Sequence, residues 1–158
     1  MHRLDKKIEL KKEIFLEFAI AVAKQSEALL GMGNANADIS ETNERLEGVN
    51  RAWHRLCLIA SNQTIKATAT LNSKWGPAYI EVSRFRMSEP PVSATSLLKF
   101  AIEKQCELMP YMAAAYAQMR CELDNPDSDQ DFEIEVYKNI LNNAGNEMKE
   151  YFNVAFPD

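Results

Sequence analysis

Residues 98–119 read LKFAIEKQCELMPYMAAAYAQM, and their spacing decides the fold. Leu98, Ala101, Gln105, Leu108, Met112, Ala115 and Met119 recur at alternating steps of three and four. An α-helix turns once in about 3.6 residues, so these steps keep side chains on one stripe, whereas a strand alternates every second residue. The run predicts a long helix with a coiled-coil-like seam. Polar Gln105 is an anomaly on that seam. Pro110 lacks an N–H and crowds the preceding turn, which predicts a kink about one turn earlier.

The same rhythm extends in both directions. Upstream, Ser88-Glu89-Pro90-Pro91 is the clearest loop. In the first segment Leu4, Ile8, Phe15, Phe18, Val22 and Leu29 mark one face of a helix over about residues 3–30, and Gly31, Gly33 and Asn34 stop it. Ile14, Leu16 and Ile20 widen its stripe, so this helix is expected to meet partners on two sides. After a short polar loop, Asp38 and Glu41 have capping-box spacing, with Ser40 a competing N-cap. Leu46, Val49, Trp53, Leu56, Ala60, Ile65 (or Thr64), Ala67 and Leu71 then predict one long second helix, bent or broken near Ser61. Gly76-Pro77 predicts a kink or break, followed by a short helical piece from Ala78 to Met87. Beyond Asp124-Asn125-Pro126, the residues Phe132, Val136, Ile140, Ala144, Met148, Tyr151 and Ala155 trace a terminal helix, with Ser128, Asp129 and Asp131 at its start. No strand-like alternation and no internal repeat appears. The expected architecture is all-α: one domain over residues 1–158, an antiparallel up-and-down bundle of four long helices.

Composition agrees with this reading. Apolar residues are 46% and charged residues 26%, which excludes a disordered or fibrous chain. Five glycines and six prolines are too few for an all-β chain rich in turns. Eighteen basic against twenty-three acidic side chains leave a net charge of −5, which argues against a general nucleic-acid binder. Cys57, Cys106 and Cys121 sit inside helical patterns, an odd set that points to reduced thiols and a cytoplasmic protein. The basic start (His2, Arg3, Lys6, Lys7, Lys11, Lys12) before the apolar run Ile14–Ala23 superficially resembles a secretory signal, but Asp5, Glu9, Glu13 and Glu17 interrupt it. The same carboxylates neutralise the lysines on neighbouring turns, so membrane docking is not expected. No stretch approaches the roughly 20 apolar residues of a membrane span.

A search for catalytic chemistry finds little. Di-iron bundles need paired Glu-x-x-His motifs, and His2 and His54 both lack the preceding glutamate. A zinc site with several histidines is equally unsupported. Helical nucleases of the HEPN type place four to six residues between an arginine and a histidine; Arg51 and His54 have two between them. The rhythm of Leu4, Ile8 and Phe15 resembles bundle-type chorismate mutases, but no cation lies between Lys12 and Lys24 to hold a dianion. Asp127, Asp129 and Asp131 resemble a calcium loop, whose glycine and final glutamate are here Phe132 and Lys138. No catalytic residue, metal or cofactor is therefore assigned.

Three pieces together resemble a diffuse group of uncharacterised bacterial all-helical bundle proteins. They are the charged first helix ending in alternating Phe and Ala, the segment Leu58-Ile59-Ala60-Ser61-Asn62, and Met119-Arg120-Cys121-Glu122-Leu123. In that group an Ala-Ser-(Asp or Asn) step bends the second helix, and a Met-Arg-x-acidic-Leu signature closes a later one. The resemblance spans about residues 3–123. It departs at Asp124, where a glycine is expected, and in the proline-rich loop at Ser88–Pro91. It implies the architecture and transfers no activity.

The leading functional expectation is a non-enzymatic bundle that binds another protein or itself, because the broad stripes of the first and fourth helices suit a homodimer. One alternative is a small enzyme or ligand-binding protein with an interhelical site near His54, built from Glu17, Arg51, His54 and Tyr116. The other is a nucleic-acid or anion binder through Lys74, Arg84 and Arg86, within a patch shared with Trp75, Tyr79 and Phe85.

Overall fold

The computed structural model describes residues 2–40 and 42–124, together with Asn143, Asn146 and Glu150. Four helices follow one another: α1 (His2–Gly31), α2 (Thr42–Cys57), α3 (Asn62–Arg86) and α4 (Ala94–Asp124), with no strand among the described residues. No helix of the described residues is long and apolar enough to cross a membrane. The expected terminal helix lies outside the described residues, except that Asn143, Asn146 and Glu150 are helical and exposed.

Helical spacing places one face of each helix in a shared core. Phe15, Phe18, Val22 and Leu29 come from α1, Val49, Ala52 and Leu56 from α2, Leu71, Trp75 and Val82 from α3, and Ala101, Leu108, Ala115 and Met119 from α4. Each large apolar side chain buried this way contributes about 1.5–3 kcal/mol. α1 packs on α2 and α4, and α3 packs on α4, whereas among the described residues the backbones of α2 and α4 do not approach closely. Between α1 and α4, Lys11 meets Glu122, and Ser26 meets Gln105 and Met112. Between α3 and α4, Thr64 meets Glu122, Lys74 lies over Tyr111, Glu81 meets Lys104, and Phe85 stacks on Phe100. Gly33 lets the end of α1 approach the start of α4, since a Cβ there would lie 2.7 Å from that of Ala101.

Of the bend or break expected near Ser61, the structure has the break: α2 ends at Cys57, and Ser61, extended at φ −66° and ψ 160°, caps α3 by accepting from the Thr64 N–H. Trp53 Nε1 donates to Thr68 Oγ1 at 3.0 Å and ties the pair together. The expected break at Gly76-Pro77 is absent, because α3 runs through both residues. A proline inside a helix costs about 3 kcal/mol. Leu71, Trp75, Ala78, Tyr79 and Val82 are buried in helical register on both sides of it, and their burial exceeds that cost. Pro77 and Ser73 are exposed, so water can serve the carbonyl that the missing N–H leaves unpaired. α4 likewise continues through Pro110.

The loops are held from a distance. The Arg86 guanidinium, at the end of α3, donates to the carbonyls of Met32, Asn34, Ala35 and Ala37, which closes the C-terminus of α1 and the turn after it. The Asp38 carboxylate accepts from the Ser40 N–H at 2.9 Å, an Asx turn that holds its pKa below the usual value, and Glu41 lies outside the described residues.

Candidate functional site

Two local structures stand out, one polar and one apolar. The polar one centres on Glu122, near the end of α4. Its carboxylate accepts from the Ser61 N–H through both oxygens at 3.0 Å, from the Thr64 hydroxyl at 2.6 Å, and from Lys11. It thus reaches the first N–H groups of α3, where a helix leaves donors unpaired and favours negative charge. Burial alone would raise the Glu122 pKa. The hydrogen bonds from Lys11, Thr64 and Ser61 together hold it below the ordinary glutamate value. One carboxylate thereby fastens α1, the α2–α3 junction and α4.

The apolar structure is a groove of about 690 Å³, lined by Leu30 of α1 and by Leu98, Ile102, Gln105, Met109, Met112 and Tyr116 of α4. The α4 residues recur at steps of four and three, so they form a second seam beside the core-facing one. Leu98, Gln105 and Met112 of the seam read from the sequence line the groove, with Met112 also packed against the core, while Ala101, Leu108, Ala115 and Met119 face inward. The Gln105 amide is fixed by donating to Ser26 Oγ at 3.2 Å, and its Oε1 is buried with no hydrogen-bond partner. Tyr116 lines the groove, and burial raises its pKa. Leu16, Ile20 and Leu30 leave further apolar surface exposed on α1.

The residues proposed from sequence are not brought together. Glu17 pairs with Arg55 rather than Arg51, and Arg51 and His54 are both exposed on α2. The His54 ring lies 5.5 Å from that of its neighbour Trp53. Tyr116 belongs to α4 and lines a groove to which α2 contributes no residue. The cationic–aromatic patch is also largely consumed, which corrects the expectation of a surface there. Trp75 and Tyr79 are buried, with the Tyr79 hydroxyl donating to the Gln25 carbonyl at 2.9 Å. Lys74 covers Tyr111, Phe85 packs on Phe100, and Arg86 holds the α1 turn. Arg84 alone of the six is simply exposed on α3. Ile102 and Met109 were missed as site residues, although their spacing with Leu98, Gln105 and Tyr116 was there to be counted. Glu122 carried no advance signal beyond its place in the motif. Among the described residues, no group of three or more His, Cys, Asp or Glu side chains is placed to hold a metal ion. No protein-family model, no curated protein and no solved structure matches this chain.

Proposed function

We propose that this chain is a non-enzymatic, antiparallel up-and-down helical bundle of the cytoplasm that binds another protein, in the first instance a second copy of itself, through the groove between α1 and α4. The observation that carries this reading is the groove, an apolar seam about five turns long that the bundle leaves open. Seams of this kind receive the apolar face of a helix. Met109 and Met112 supply an adaptable lining, and Gln105 Oε1 a single buried acceptor that orients a donor on the incoming helix. The antiparallel order is supported by the pairs between α1 and α4, where Lys11 meets Glu122 and Ser26 meets Gln105. No disulfide joins Cys57, Cys106 and Cys121, which suits a reducing compartment.

Light scattering coupled to size exclusion, run over a concentration series, tests the reading. The mass should rise toward twice that of the chain. Ile102→Glu or Met109→Glu should hold it at one copy, because a carboxylate in an apolar seam is not solvated. A parent chain that stays monomeric at every concentration refutes self-association.

A further inference from the structure

α1 carries two seams, and its own bundle uses one of them. Phe15, Phe18, Val22, Gln25 and Leu29, at steps of three, four, three and four, are buried. Leu16, Ile20, Ala23, Glu27 and Leu30 repeat the rhythm at steps of four, three, four and three, about 140° further around the helix. All five are exposed, Leu16 by 61% and Ile20 by 49%. Leu30 is also part of the groove, so this outer ridge and the groove lie side by side along one face. They are opposite in relief. The ridge stands in solvent, whereas Ile102, Gln105, Met109, Met112 and Tyr116 of the groove are half-buried.

We infer that the helix entering the groove is α1 of a second copy, its outer ridge laid along α4, and that the two copies do this to each other. The inference rests on the self-association proposed above and names the element that performs it. Spacing selects this occupant. The groove residues of α4 advance by four, three, four, three and four, and a helix seated on them needs knobs at the same steps, which the outer seam of α1 supplies. Relief selects it as well. Two copies related by a twofold axis could set ridge on ridge or groove on groove, but the first holds the helices apart and the second leaves a void; only α1 on the other copy's α4 fills both grooves. A twofold axis along the bundle keeps every residue at its own height. Lys11 is level with Glu122, Ser26 with Gln105, and Gly33 with Ala101. Leu16 then meets Tyr116 of the second copy, Ile20 meets Met112, and small Ala23 meets large Met109. Glu27 is the one charged member of the seam, and a single polar position in a seam fixes register at a cost in affinity. The area suffices. Residues 98–116 span about 27 Å, and two packed helices are about 20 Å wide. That is roughly 540 Å² on each copy and roughly 1,100 Å² in total, above the roughly 1,000 Å² a specific interface needs.

Light scattering and native mass spectrometry on the full chain provide the test. Leu16, Ile20 and Ala23 are exposed and are not among the residues lining the groove, so a carboxylate placed there leaves the groove itself intact. Ala23→Glu should weaken dimerisation by about tenfold or more, and so should Met109→Lys, because each places an unpaired charge in the seam. The two variants mixed should form heterodimers at close to the parental affinity. In the mixed pair the new carboxylate of one chain faces the new ammonium of the other, and the second half of the interface is unaltered. Should circular dichroism show that Met109→Lys does not fold, Leu16→Glu mixed with Tyr116→Lys repeats the test at another level. A mixture of folded variants that stays monomeric overturns the inference. A parent that dimerises, loses its dimers on Ile102→Glu and keeps them on Ala23→Glu overturns it too, while the proposed function stands. A parent that is monomeric at every concentration overturns both.

Discussion

Replacing Glu122 by glutamine keeps the shape of the side chain and removes its charge. The carboxylate accepts from Ser61, Thr64 and Lys11 at once, and its side chain is only 8% exposed, against 20% for Lys11. An amide has one acceptor oxygen, and its NH₂ must then face the Lys11 ammonium or the Ser61 N–H, both donors. Hydrogen bonds to a charged group contribute about 1.5–3 kcal/mol each, so losing one or two costs about 2–4 kcal/mol. With a urea dependence of about 2 kcal/mol per molar, the unfolding midpoint of Glu122→Gln should fall by about 1–2 M at neutral pH. The sign of the pH dependence follows from the lowered pKa. Unfolded glutamate titrates near about 4.3. The native group holds its charge to lower pH, so its contribution is complete above the unfolded value and disappears as pH falls through the native one. Urea melts of parent and variant between pH 7 and pH 3 should therefore converge in acid. A gap below about 0.5 kcal/mol at neutral pH, the size of an ordinary surface change, refutes the role given to Glu122, and so does a gap that is constant with pH.

Two glycines should respond in opposite directions. Gly33→Ala drives a methyl into Ala101 and against the Leu30 carbonyl and should destabilise by about 1–3 kcal/mol, whereas Gly48→Ala, in the middle of α2 with open space around it, should stabilise by about 0.5–1 kcal/mol; thermal melts separate the two. Arg86→Lys keeps the charge but loses the planar fork that spans the carbonyls of Met32, Asn34, Ala35 and Ala37, and should cost about 1–3 kcal/mol, with faster amide exchange in residues 34–37 as the readout.

Much of the framework was readable because periodicity is a local property. The first helix, expected over residues 3–30, is α1 at His2–Gly31, and the loop at Ser88–Pro91 separates α3 from α4. The errors arise where distant contacts decide. Proline at position 77 signals a break by its own chemistry, but buried Trp75 and Tyr79 on either side keep α3 helical through it. Ser61 signals a bend, and a carboxylate 61 residues further along completes the separation into two helices. In α4 the two seams share Leu98, Gln105 and Met112, and the helix is apolar around most of its circumference, so spacing alone does not say which seam meets the core. Trp75 and Tyr79 looked like surface aromatics because lysine and arginine stand beside them in sequence. Their spacing with Leu71 and Val82 was the better guide.

The grip of Arg86 on the turn after α1 has a consequence for assembly. Residues 32–37 are the hinge about which α1 would swing if it left its own bundle for a neighbour's, and four carbonyls of that hinge are held by a single side chain. Releasing a connector is the first step of domain exchange between identical chains. The guanidinium therefore acts as a lock against swapping, and a chain deprived of it should accumulate intertwined dimers on slow refolding at high concentration.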